Sequence, residues 1–250
     1  MDVLERIRPE FQRRVEAARI GETTVTVQVK PLTPEEAIGH PDRTDYPILI
    51  GKERVIEARV RGGRGHAFTD TPRPFTGRLG DVVDSKLDDS GRRAVYVATL
   101  NALLYDLGEI DGALHCRDGE PERCGEEIAR RLREDYGAAS AGLIGLNPAI
   151  ADHLVRAFGA DRVRITDLNP NTIGTARFGV EIWDGAARVD ELVTAVDVVL
   201  VTGTTIVNGT FDGIWQRIAE RGKRGILFGV TAAGASRLLG YERICPYARG

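Results

Sequence analysis

Three apolar runs in the second half of the chain end in residues able to hold a ligand. The most informative is Asp197–Thr210, DVVLVTGTTIVNGT. Its Val and Leu residues read as a buried strand, followed by Thr202, Gly203, Thr204, Thr205, Asn208, Gly209 and Thr210, a loop dense in small donors and acceptors. A fully apolar strand ending in such a loop, with a helix after it, is how an open α/β sheet builds a ligand crevice at its carboxyl edge. Asn208-Gly209 is a turn signal and Thr210 a good helix N-cap. Thr204 and Thr205 have no such duty, so at least one is expected to face a ligand. The second run ends in Gly145-Leu146-Asn147-Pro148. Gly145 permits close approach of a ligand to a helix N-terminus, while Asn147 and Pro148 suit the cap and first turn of that helix. The G-x-G-x-x-G dinucleotide fingerprint is absent, which disfavours a bound pyrophosphate. The third run ends in Asp167, about 20 residues beyond the glycine turn, where nucleotide-binding folds place a carboxylate on a ribose hydroxyl. Asp167 equally suits an Asx-turn into Asn169-Pro170. Thr231, in GVTAAG, adds a small hydroxyl to the same edge.

In the first half, His66 and Asp70 sit in the Gly/Pro-rich run Gly62–Gly77, read as a mobile loop over the crevice. A His and a carboxylate there could exchange protons or bind metal; a solvated loop with a packed Phe68 is the alternative. Asn101 is an amide inside an otherwise apolar helix and must find partners, in the protein or in a ligand. Lys52, Glu53 and Glu57 flank a strand and read as surface charge. His115-Cys116-x7-Cys124 is the one metal-like constellation, with a fourth ligand missing unless Cys245 supplies it. The alternative is that these cysteines are small packed residues. The candidate catalytic residues are therefore His66, Asp70 and Asn208. Candidate ligand-binding residues are Asn101, Gly145, Asn147, Asp167, Thr202, Thr204, Thr205 and Thr231, and candidate metal ligands are His115, Cys116 and Cys124.

The elements that position these residues fall into two rhythms. Residues 3–19 read as an amphipathic helix and Thr23–Leu32 as a half-buried strand with Val25, Val27 and Val29 on one face. YPILIG and RVIEARVRG read as further strands, and Arg92–Leu107 as a core helix. Beyond the polar segment 108–122, strand and helix alternate, as βαβ units in a parallel sheet do. The chain thus reads as α/β, with a smaller α+β domain (1–107), a linker (108–122) and an α/β domain (123–250). At 250 residues and a net charge of −3 without a basic stripe, nucleic acid is a poor default partner. No apolar run spans a membrane. The amphipathic N-terminus is unlike a signal peptide, and three cysteines fit a reducing cytoplasm. No serine–histidine–acid set or phosphate loop is legible.

In order along the chain, IGKERVIEA, GRGHAFTDTPRPFTG, RRAVYVATLNALL, HCRDGEPERCGEEIA, GLIGLNPAI, RITDLNP and DVVLVTGTTIVNGT resemble the “putative heavy-metal chelation” family, in the form of an archaeal, methanogen-like member. The resemblance implies an enolase N-terminal-like domain followed by a Rossmann-like one, with a site between them that handles a heavy or transition metal or a metal-chelating compound. Two alternatives stand beside it. One is a transferase or oxidoreductase using S-adenosylmethionine or NAD. The other is a non-enzymatic metallochaperone using His115, Cys116 and Cys124. The expected partner is a small molecule, with catalysis and self-association left open.

Overall fold

The computed structural model describes residues 2–18, 26–51 and 53–250. Val25 and Lys52 lie outside the described residues. In chain order the first half runs α1 (Val3–Ala17), β1 (Thr26–Pro31), α2 (Pro34–Ile38), α3 (Pro47–Ile50), β2 (Arg54–Val60), β3 (Gly63–Thr69), β4 (Phe75–Arg78), α4 (Leu79–Val83) and α5 (Ser90–Asp106). Its strands form an antiparallel sheet ordered β3-β2-β1-β4. The second half runs α6 (Glu120–Glu134), β5 (Ala141–Ile144), α7 (Pro148–Phe158), β6 (Val163–Asp167), β7 (Ala176–Arg177), β8 (Val180–Asp184), α8 (Val189–Ala195), β9 (Val198–Thr202), α9 (Thr204–Asn208), α10 (Phe211–Glu220), β10 (Arg224–Phe228), α11 (Ala233–Leu239) and β11 (Arg243–Ile244). These strands form a seven-stranded sheet ordered β11-β10-β9-β5-β6-β8-β7, parallel except for the β7–β8 pair.

Both faces of the parallel sheet are covered, which is why its strands are apolar on successive residues. Leu143, Leu200 and Ile226 pack towards α6 and α7, whereas Ile144, Val199, Val201 and Leu227 join a core that includes α8, α10 and α5. The chain leaves β5 in one direction through α7 to β6, then returns through α8 to lay β9 on the other side of β5. Strand order reverses there, so a crevice opens outside the carboxyl ends of β5 and β9.

The helix α5 lies between the two sheets and explains its own composition. Asp89 caps it by accepting from Arg92 N, and residues Ala94 to Leu104 are buried on every side. It rests on β2 and β3 and meets α9 and α11 on its other faces. The glycine-rich run 62–77, expected as a mobile loop, is instead largely strand β3 and part of β4, with a short connection over residues 70–74 between them. Its glycines serve close packing: a Cβ on Gly65 would lie 2.3 Å from Ala102 N, and one on Gly63 2.1 Å from Ala102 O. YPILIG is also not a strand, because Pro47 starts the short helical turn α3. The last residues of the expected linker are already helical in α6.

Two clusters of ion pairs, among other polar contacts, tie the halves together. Val3 N donates to Asp212 Oδ2 at 2.8 Å and Arg6 pairs with Asp212 at 2.7 Å, docking α1 onto α10. Arg43 binds Glu122 at 2.6 Å and Asp152 at 2.8 Å, while Tyr46 Oη donates to Glu122 at 3.2 Å. This second network fixes the segment before β2 against α6 and α7. It thereby sets the first half over the crevice.

Candidate ligand site at the carboxyl edge of the parallel sheet

The floor of the crevice is made by three strand ends that brace one another. Gly145 has φ +90 and donates to Thr166 O at 2.9 Å; a Cβ there would lie 2.4 Å from Thr202 Cγ2. Only glycine fits this turn. Leu146 N then donates to Asp167 Oδ2 at 2.6 Å, and Asn169 N to Asp167 Oδ1 at 2.6 Å. Asp167 thus makes the Asx-turn and also clamps the glycine loop, with lone pairs of its half-buried carboxylate left over. Asn147 caps α7 by accepting from Ile150 N at 3.1 Å, with Pro148 in the first turn.

The threonine run divides by role. Thr205 is buried and donates to Thr202 O at 2.7 Å, an internal bond that ties α9 to the end of β9. Thr202 and Thr204 are half-buried and face each other, Oγ1 to Oγ1 at 3.3 Å. Residues 204–208, expected as loop, form the turn of helix α9, ended by Gly209 in the left-handed region. Asn208 is exposed and accepts from Thr210 N and Thr210 Oγ1. Thr210 therefore spends its hydroxyl on Asn208 rather than capping α10. Thr231 is buried and accepts from Phe68 N at 3.0 Å, stitching β3 to the sheet edge.

What faces this floor from the first half is Glu53. Thr204 Oγ1 donates to Glu53 Oε1 at 3.4 Å. Burial pushes the Glu53 carboxyl up to about 7, and the Asp167 and Asp70 carboxylates add to the rise against the small opposing effect of Thr204. No salt bridge reaches Glu53 among the described residues. A half-buried carboxyl near two others, with only a hydroxyl as its hydrogen-bond partner among the described residues, gains from a positive charge placed beside it. Sequence reasoning assigned Glu53 to the surface; the chain gave no cue beyond an acidic residue at the start of a strand. Ile50 is 69% exposed and Leu168 48%, three residues from Glu53 and one from Asp167 in sequence. A small recess of about 30 Å³ lies between α3 and the Leu146–Pro148 turn, lined also by Asn169 and Arg177.

Other expected residues lie apart from this floor. His66 is buried in β3: Nδ1 accepts from His115 N at 3.1 Å, leaving Nε2–H to donate to Glu57 at 3.2 Å. It is a fixed strand residue and not part of a lid. Glu57, expected on the surface, is 1% exposed. Against the cost of burial, hydrogen bonds from His66, Arg64 and Arg59 hold its carboxyl well below the usual range. Asn101 spends its whole amide internally, donating to His66 O at 3.0 Å and Val230 O at 3.1 Å and accepting from Gly234 N at 2.8 Å. Asp70, by contrast, is exposed just beyond the end of β3, and its charge reaches Glu53. The His115 ring packs on Phe68, centroids 5.1 Å apart, and burial followed by the nearby His66 pushes it down to about 4. Cys116 and Cys124 are free and buried, and Cys245 is free and partly buried. Among the described residues, no three His, Cys, Asp or Glu side chains form a ready-made cage for a metal ion. Nor is any helix among them long and apolar enough to cross a membrane.

Residues 133–242 match the model of the DUF364 family, described as “Putative heavy-metal chelation”. The fold is similar to that of a DUF364-family protein of unknown function from Pyrococcus horikoshii. That likeness has a TM-score of 0.55 and 18% identity, and covers 92% of this chain and 80% of the other. It is also similar to a DUF364-family protein of unknown function from Desulfitobacterium hafniense, with a TM-score of 0.50 and 12% identity over 74% and 72% of the two chains. No curated protein matches the chain. The comparisons thus give this chain a mixed α/β fold with a largely parallel sheet, shared with proteins of that family, and a family match over much of its second half.

Proposed function

We propose that the crevice between Glu53 and the carboxyl edge of the parallel sheet binds a small cationic ligand, a metal ion carried inside a shell of its own ligands. The carrying observation is Glu53, whose side chain contacts Thr204 Oγ1 and no basic side chain among the described residues, and whose carboxyl is pushed up first by burial and then by Asp167 and Asp70. A cation entering there relieves the repulsion among three carboxylates and favours loss of the Glu53 proton. The absence of a preformed cage among the described residues argues for recognition of a metal's outer shell, by Thr202, Thr204 and the carboxylates, over direct ligation of a bare ion. The family description over residues 133–242 points in the same direction. The Rossmann-like and enolase N-terminal-like labels belong to this reading too, as does the division into two domains about a site. Whether chemistry follows binding rests on Glu53, since a group titrating near neutrality suits proton transfer.

The nucleoside-cofactor alternative has less support. Asn147 already caps the helix end where a phosphate would bind. The test of the cation reading uses hexaamminecobalt(III), an exchange-inert ion with a fixed shell, in calorimetric titrations across pH 6 to 8 (roughly one unit either side of Glu53). Saturable binding that tightens with pH, and weakens about tenfold or more in Glu53→Gln and in Asp70→Asn, is expected. Binding that is absent, or indifferent to both substitutions, refutes the proposal.

A further inference from the structure

The outer face of the antiparallel sheet carries a basic recess that plays no part in the crevice. Along β2, Ile56, Ala58 and Val60 join the core with α5, so Glu57 and Arg59 project from the opposite face. Register places Lys30 of β1 and His66 of β3 beside Glu57, and Arg64 of β3 directly opposite Arg59. Like charges at opposed positions repel. Here Glu57, only 1% exposed, joins the two arginines. Its Oε1 accepts from Arg59 Nε at 2.8 Å, and its Oε2 from Arg64 Nε at 3.0 Å and Nη2 at 2.5 Å. Helix α2 and Arg117, whose Nη2 donates to Glu35 O at 2.8 Å, complete the lining of a recess of about 370 Å³.

A buried carboxylate adds little net stability through its ion pairs, because desolvation offsets them. What Glu57 does accomplish is to hold two guanidinium groups side by side. Arg59 and Arg64 are each about half exposed. Both Nη groups of Arg59 and Nη1 of Arg64 have no protein partner among the described residues. Lys30 makes an exposed pair with Glu36 at 2.8 Å, an interaction weak enough to yield to a stronger anion. Four cations line the recess against three carboxylates, and two of those, Glu35 and Glu36, are exposed to solvent.

We infer that this recess binds a phosphoryl dianion, that of a small phosphomonoester, gripped by Arg59 and Arg64 with Lys30 beside them. Guanidinium forks match phosphate oxygens in geometry as well as charge. Glu57 is the positioning residue that presents the forks. Leu32 is the one apolar side chain in the lining, so the body attached to the phosphate is polar, of the polyol class. All of these residues lie outside the matched segment 133–242, and none lines the Glu53 crevice. The two sites therefore stand or fall separately.

The test is calorimetric titration with glycerol 3-phosphate and, separately, with inorganic phosphate and succinate. It is run at about pH 8, where both phosphates are dianions, in about 0.15 M salt to screen unspecific attraction. One site for glycerol 3-phosphate per chain is expected, weakened about tenfold or more in Arg59→Gln and in Arg64→Gln. Arg64→Lys, which keeps the charge and loses the fork, should weaken it as well. Glu53→Gln and Arg130→Gln should leave it unchanged. Thermal melting confirms that each variant is folded; Lys30→Gln, at an exposed position and expected to weaken binding about threefold, keeps the test open if the arginine variants do not fold. Binding that fails to saturate, or that survives these substitutions in folded protein, overturns the site. Inorganic phosphate binding as tightly as the ester overturns the phosphomonoester in favour of the free ion, and succinate binding as tightly overturns the phosphoryl assignment.

Discussion

Glu53→Gln should make the protein more stable at alkaline pH and leave it nearly unchanged at acid pH. Burial and two neighbouring carboxylates raise the Glu53 carboxyl from 4.5 to about 7. Between those values the folded protein retains a proton that the unfolded chain has released. Stability therefore falls as pH rises through that window, and the full cost is present above it. The shift corresponds to roughly 3 kcal/mol; partial solvent screening of Glu53 reduces that, so a gain of about 1–3 kcal/mol is expected at pH about 8. For a chain of this size that is a rise in Tm of roughly 3–10 °C. At pH about 4.5 the two proteins should agree within ~0.5 kcal/mol, because glutamine mimics the protonated carboxyl. The assay is thermal unfolding of wild type and variant in parallel at both pH values, so that titrations elsewhere cancel in the difference. A difference that does not change with pH, or a variant less stable than wild type at pH 8, would falsify the account of Glu53 as an uncompensated charge.

Two further substitutions probe the frame around the crevice. Asn101→Ala strands His66 O, Val230 O and Gly234 N in a site that is fully buried. At about 1 kcal/mol for each broken bond, with more for the unsatisfied N–H, the expected loss is ~3 kcal/mol or more, or roughly 6–12 °C in Tm. A loss below ~1 kcal/mol by urea unfolding would mean that Asn101 is not the internal tie described above. Glu57→Gln tests a carboxyl of opposite sign to Glu53: its value is held low in the fold, so its stabilisation is present above its ordinary value of 4.5 and lost as pH falls. The variant should be less stable than wild type at neutral pH, with the gap closing in acid. A gap that widens below pH about 4 contradicts the hydrogen-bonding role of His66, Arg64 and Arg59.

The floor of the crevice was legible because a parallel strand buried on both faces announces itself as a short apolar run, and whatever follows it lies at the carboxyl edge. Gly145, Asp167, Thr202 and Thr204 could be placed at that edge in this way. The β7–β8 hairpin was not, since its five-residue strand carries two acidic residues and the two-residue strand beside it has no pattern to read. In the first half, composition misled. Glycine favours a loop when nothing else is known, but Gly63 and Gly65 are needed because the backbone of α5 passes within a Cβ's reach. YPILIG is four apolar residues long between Tyr46 and Gly51, too short for periodicity to separate strand from helical turn. The polar residues were misread for a related reason. The surroundings of Glu53 come from strand ends more than 100 residues away, and those of Glu57 from Arg59 on its own strand and Arg64 and His66 across the hairpin, a pairing that hydropathy alone does not reveal. One sheet supplies the threonines and Asp167, whereas an antiparallel sheet built by different rules supplies Glu53 and Asp70. A site assembled across that divide has half its residues at readable strand ends and half visible only once the chain is folded.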